Sequence, residues 1–193
     1  MACVCLKNAI DKYWRKTASN SIKEEERVLL KNEFLQYLNE PELKIARQMS
    51  VILGKLARFE LPLQWPDLIP KLLQILNETN SSQHLVSSRC LMALHAIIKS
   101  LASKRLFNDR KVFEELSINI IEMLIRLGFS YVQECISSSI THIAESNGHT
   151  DASFKALLNE HSFYMDQAIL SLKILHKLVL HGFRDNVIIQ YNN

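Results

Sequence analysis

Apolar residues recur along this chain at three- and four-residue intervals, the period of helices that keep one side against a core. The pattern is sharpest where Leu68, Ile69, Leu72, Leu73 and Leu76 follow Pro66. Just before it, the stretch LARFELPLQWPDLIPKLL breaks one helix and opens another. The first helix is expected to end near Phe59, because Pro62 has a fixed φ and no amide proton. Pro66 suits the first turn of the next helix, where a missing donor costs nothing. Trp65 lies between them and is expected to plug the wedge between the two helices, as large aromatics do when buried. Pro62, Trp65, Pro66 and Leu68 are therefore read as a structural corner.

The same reading extends in both directions. Residues 7–16 look like the last turns of a helix with Ile10, Tyr13 and Trp14 on one side. Ser21 and Glu24 are spaced as a capping box, which predicts a helix start there. That helix runs to 38 with Val28, Leu30, Phe34, Leu35 and Leu38 inward. A helix over 42–59 places Ile45, Met49, Ile52, Leu53 and Leu56 on one face. Lys44, Arg47, Val51, Lys55 and Arg58 fall on another, largely basic face. Further helices are predicted over 66–78 and 83–103. One starts at Asp109, as its cap, with Val112, Phe113, Leu116, Ile120, Leu124 and Leu127 inward. Gly128 is expected to bend or break it, and 131–145 to continue with Ile136, Ile140 and Ile143 inward. The last spans 159–181 with Phe163, Ile169, Leu172, Leu175, Leu178 and Val179 inward, and Gly182 ends it. Asn80-Ser81-Ser82 and Asn147-Gly148-His149 read as loops.

No segment alternates as a strand does. The helix starts expected at Ile22, Pro66 and Arg110 are each 44 residues apart. Helix pairs repeating every ~40–47 residues mark HEAT or armadillo solenoids. The fold predicted is all-α, a HEAT-repeat solenoid of antiparallel helix pairs wound as a right-handed superhelix. Counting back one period leaves residues 7–16 as the tail of a helix whose partner is missing. Ile10, Tyr13 and Trp14 are then expected to form an uncovered apolar patch that drives association. The chain reads as cut at the front.

Composition narrows the function. An apolar share of 48% with four Gly and four Pro excludes disorder and turn-rich β folds. A formal charge of +3 gives no global pull toward nucleic acid or membrane. No signal peptide is read, and the uncharged apolar runs fall short of the ~20 residues of a membrane span. Cys3, Cys5, Cys90 and Cys135 suit reduced thiols, and the C-x-C pair lacks the second pair that zinc sites require. The isolated glycines form no phosphate-binding loop, and no nucleophile elbow or metal-binding helix occurs. No catalytic residue, metal site or cofactor is expected. Besides the stripe around Lys44, a second basic group, Lys99, Lys104, Arg105, Arg110 and Lys111, gathers at one inter-helix corner. Neither comes with the stacking aromatics of nucleic-acid binders, so both read first as solvated helix faces.

Three blocks, LKNAIDKYWRK, SIKEEERVLLKNEF and IARQMSVILGKLARFELPLQWPDLIPKLL, resemble the N-terminal region of the importin-β (karyopherin-β) family. The family's paired signature is matched by Leu56-Ala57, Glu60, Pro62, Trp65, Pro66 and Leu68. The resemblance implies residues 1–38 as a remnant of the N-terminal domain and 39–193 as continuing HEAT repeats. It implies a nuclear transport receptor that shuttles between nucleus and cytoplasm. Its expected partners are Ran GTPase in the GTP form, cargo proteins and, in the full-length receptor, nucleoporins. Second helices of the repeats line the Ran-facing side, which nominates Lys44, Arg47, Val51 and Lys55. The family's first helix and the start of its second have no counterpart here. The alternative is a HEAT scaffold that binds proteins without Ran.

Overall fold

The computed structural model describes residues 2–79, 83–145 and 151–183, all in helices and short connections with no strand among them. The loops expected at 80–82 and 147–149 lie outside the described residues. The helices are α1 (Ala2–Tyr13), α2 (Glu24–Gln36), α3 (Leu43–Glu60), α4 (Leu68–Glu78), α5 (His84–Ala102), α6 (Phe107–Glu145) and α7 (Asp151–Gly182). A 3₁₀ turn, Tyr37–Asn39, follows α2. The chain divides into two compact units, Met1–Phe113 and Glu114–Asn193.

In the first unit α1 packs on α3, α3 on α5, and α4 on α5. These are the side-by-side layer and the paired partner that a helical repeat requires. The core is Met49, Ile52, Leu53 and Leu56 of α3, Leu68, Ile69, Leu72 and Leu76 of α4, and Leu91, Leu94, Ile97 and Ile98 of α5. By length and composition α5 could cross a membrane. Here its apolar side meets α3 and α4 instead. Its thiol, Cys90, donates to the Leu72 carbonyl at 3.1 Å, and burial pushes its pKa up to about 12. Such a thiol is inert packing.

Helices α3 and α5 approach closely at Gly54, where an added Cβ would lie 2.7 Å from the Ala96 carbonyl oxygen of α5. The obstacle is backbone, so one helix would have to move. We expect Gly54→Ala to destabilise the chain by about 1–3 kcal/mol through overpacking. That outweighs the ~1 kcal/mol that alanine gains over glycine in a helix. A urea midpoint equal to or above that of the parent chain would refute the close approach.

Several sequence expectations are corrected. The patch of Ile10 and Trp14 does not exist: they are 0% and 1% exposed, since α1 lies against α3. Helix α2 starts at Glu24, not at Ser21; the Glu26 carboxylate accepts from the Lys23 amide at 3.1 Å and closes its first turn. Its buried residues are Arg27, Lys31 and Phe34, whereas Val28 is exposed. Ile45 is likewise 39% exposed at the open end of α3. Helix α4 begins at Leu68, two residues after Pro66. Asp67 precedes it but pairs with Lys71 rather than capping, and this hydrogen bond holds its carboxyl below the usual range. Asp109 does not cap α6, which starts at Phe107; it accepts from Lys104 at 3.0 Å.

In the second unit α6 runs through Gly128 unbroken. Its buried stripe is Ser117, Ile120, Leu124, Gly128, Tyr131 and Cys135, so Ile136 and Ile140 point outward; Ile143 lies outside the described side chains. Gly128 faces α7, where an added Cβ would lie 3.5 Å from Ser171, an ordinary van der Waals contact. The facing stripe of α7 is Tyr164, Gln167, Ala168, Ser171, Ile174 and Leu178. Ile169, Leu172 and Val179, expected inside, are exposed. The Ser139 hydroxyl and His161 Nδ1, 3.0 Å apart, add a polar tie between the two helices, with Cys135 Sγ 3.6 Å from the same ring nitrogen. Burial, helped by Glu160 and Glu134, raises the Tyr164 pKa. Gly182 is still helical, with no left-handed turn there.

Candidate functional site

The periodicity of α3 that buries Met49, Ile52, Leu53 and Leu56 turns Lys44, Arg47, Gln48, Val51 and Arg58 to the opposite, exposed side. The nominated residues thus share one outward strip, with Val51 44% exposed among cations. They are not electrostatically equivalent. Lys55 is half-buried and ion-paired with Asp11 of α1, 44 positions earlier. Arg58 donates from Nη1 to the Ser100 carbonyl at 2.9 Å and the Ser103 hydroxyl at 2.6 Å, tying α3 to the end of α5. Lys44 and Arg47 make no such tie. The strip is therefore anchored sideways at its C-terminal end and open at its N-terminal end.

The corner follows the C-terminal end of α3. Trp65 is 5% exposed and Leu68 fully buried, while Pro62 and Pro66 face solvent; the Leu61–Pro62 peptide is cis. Glu60, the last residue of α3, is the hub. Its Oε1 accepts from Trp14 Nε1 at 2.8 Å. Its Oε2 has no neutral donor and meets the ammonium of Lys31. Lys31 also donates to the Gln64 carbonyl at 3.1 Å and lies 5.7 Å from the Trp65 ring centroid. Arg27 covers Trp14 at 5.4 Å and donates to the Ile22 carbonyl. A second such tie is Arg89 of α5, whose guanidinium donates to the Glu40 and Pro41 carbonyls at 2.9 and 3.0 Å. Sequence reading missed Arg27, Lys31 and Arg89, because charged residues on a helix are assigned to solvent by default.

No group of three or more metal-ligating side chains occurs among the described residues. The exposed strip and the buried corner belong to one packed helical layer. The description "Importin-beta N-terminal domain" matches residues 1–40, and "Exportin 1-like protein" matches residues 42–159. The chain belongs to the importin-β (karyopherin-β) family. Human Importin-11 is 34% identical over 184 residues, which is 95% of this chain and 17% of the relative. The importin β-like protein kap113 of Schizosaccharomyces pombe is 27% identical over 186 residues, 96% of this chain and 18% of its own. This importin-β family chain thus spans about a sixth of the length of those relatives. A solved structure of Lph2, a bidirectional nuclear transport receptor of S. cerevisiae, superposes with a TM-score of 0.70 at 21% identity. It covers 98% of this chain and 17% of Lph2, and establishes the shared all-helical repeat fold.

Proposed function

We propose that this chain supplies the amino-terminal, Ran-facing part of a nuclear transport receptor that shuttles between nucleus and cytoplasm. Residues 1–38 are read as the remnant of the N-terminal domain and 39–193 as continuing repeats. The observation that carries the reading is the family match over residues 1–40 and 42–159 together with an exposed basic strip on α3. On that strip Lys44, Arg47, Val51 and Lys55 meet Ran in its GTP form. Cargo proteins and nucleoporins are partners of the whole receptor.

Lys44 and Arg47, open and uncompensated, carry most of the electrostatic attraction; Lys55 contributes less because Asp11 already neutralises it. A GTPase presents different switch segments in its two nucleotide states. Capture of Ran·GTP over Ran·GDP is expected to differ by at least about tenfold, a coupling of about 1.4 kcal/mol. Lys44→Glu with Arg47→Glu is expected to slow association, as reversal of rim charges does, without altering the fold. Pull-down with both nucleotide forms, followed by association kinetics, checks both statements. Equal capture of the two forms, or of neither, would leave the Ran-independent protein scaffold as the reading.

A further inference from the structure

A second basic surface, which shares only Arg58 with the exposed side of α3, is assembled at the ends of three helices of the first unit. A cleft of about 600 Å³ is lined by Arg15, Arg58, Phe59, Lys104, Arg105 and Leu106, with Ser103 and Asp109 at its edge. Arg15 lies in the bend after α1, Arg58 in the last turn of α3, and Lys104 to Leu106 in the link from α5 to α6. Positions far apart in sequence thus bring four cations around one opening. The single carboxylate there, Asp109, is already bonded to Lys104.

Two of the guanidinium groups are held in place. Arg58 is fixed by the Ser100 carbonyl and the Ser103 hydroxyl, which use only part of its five donors. Arg15 rests on the Phe59 ring with 5.4 Å to the centroid. Arg105 is exposed and has no carboxylate partner among the described residues. The C-terminal end of α3 adds partial negative charge that favours gathering cations here. Beside them Leu106 is 74% exposed and Phe107 67% exposed, an apolar edge on a charged cleft.

We infer that this cleft docks an acidic protein segment, rich in Asp and Glu and carrying one bulky apolar side chain. The carboxylates pair with Arg15, Arg58 and Arg105, and the apolar side chain covers Leu106. Nucleic acid fits less well. Single-strand binding needs open aromatic faces for stacking. Here Arg15 lies over the Phe59 ring, and the exposed Phe107 carries Lys111 on one side, so the cleft has no run of open aromatic faces. The inference rests on the cleft alone and survives or fails independently of Ran binding.

The test is fluorescence anisotropy of the full chain with a short fluorescein-labelled peptide of Asp and Glu around a central Leu. Binding that weakens as salt rises is expected. Arg15→Glu with Arg105→Glu should weaken it about tenfold or more, the scale of reversed steering charges. Arg15→Lys with Arg105→Lys should restore most of it. Arg126→Glu with Lys173→Glu, exposed cations of the second unit, should leave it unchanged. Circular dichroism of each variant establishes that the helices persist. The inference is overturned if the acidic peptide does not bind, or if a peptide with Ser in place of every acid binds equally. It is also overturned if the Arg15/Arg105 reversal has no effect or the second-unit reversal has the same effect. Tighter binding of a single-stranded RNA oligonucleotide than of the peptide would overturn it in favour of nucleic acid.

Discussion

Glu60→Ala is expected to destabilise the chain by about 3–5 kcal/mol, the range for removing one partner of a buried ion pair. Glu60 is 2% exposed and Lys31 8% exposed. Losing the carboxylate leaves the Lys31 ammonium with only the Gln64 carbonyl and the Trp65 ring, and strands the indole N–H of Trp14. The charge left behind, not the lost attraction, sets the size of the effect. Lys31→Met combined with Glu60→Gln should therefore recover much of the loss, because the amide still accepts from Trp14 and no charge remains buried. The chain's two tryptophans, Trp14 and Trp65, both belong to this cluster, so urea unfolding followed by their fluorescence reports it directly. A Glu60→Ala loss under about 1 kcal/mol, typical of a surface change, would show that the pair is solvated. So would a double variant no more stable than Glu60→Ala.

The same cluster explains where sequence reading succeeded and where it failed. Helices α3, α4 and α5 were legible because the large apolar residues of their buried stripes are Leu, Ile and Met at helical spacing, flanked by prolines and polar loops. Burial and local period point the same way there. Helix α2 was misread because its inward face contains Arg27 and Lys31. Their burial depends on Trp14, Glu60, Gln64 and Trp65, which only the packed repeats bring within reach. In α6 Phe113, Ile120 and Leu124 are buried as expected, but the stripe after Gly128 was misplaced for a related reason. Ser117, Gly128 and Cys135 hold core positions through smallness, while Ile136 and Ile140, more hydrophobic, face outward.

The candidate site was half legible. Lys44, Arg47 and Val51 share an open face, as helical spacing alone requires. Nothing local indicates that Lys55 is answered by Asp11, or that Arg15 and Arg58 join Lys104 and Arg105 around a cleft. The basic group expected from sequence at that corner also included Lys99, Arg110 and Lys111, which do not line the cleft. Charges cluster by adjacency of helix ends across repeats, at separations of 42 to 46 residues in the ties of Arg58, Lys55 and Trp14. A reader of one helix at a time does not see that register.

Trp65→Ala carries the other large expected effect, again about 3–5 kcal/mol, as for a large aromatic removed from a packed site. The ring is 5% exposed at the link between α3 and α4, just before Leu68, which is fully buried. Its backbone amide approaches the Glu60 carbonyl at 3.3 Å and its own carbonyl accepts from the Leu68 amide at 3.3 Å. The indole thus fills the corner while the backbone around it passes the chain from one helix to the next. Alanine would leave a void and uncover Lys31, whose ammonium lies over the ring. Trp65→Phe should keep part of the packing and lose less. Pro66→Ala, at an exposed position before α4, should change stability by within about 0.5 kcal/mol, as most surface substitutions do. Because Trp65 is itself a fluorophore, unfolding of these variants is better followed by circular dichroism. If Trp65→Ala costs less than about 1 kcal/mol, or no more than Pro66→Ala, the corner is held by backbone turns and prolines alone. If the ordering Trp65→Ala, Trp65→Phe, Pro66→Ala holds, the ring is the wedge that sets the α3–α4 turn, and with it the register in which α3 meets α5.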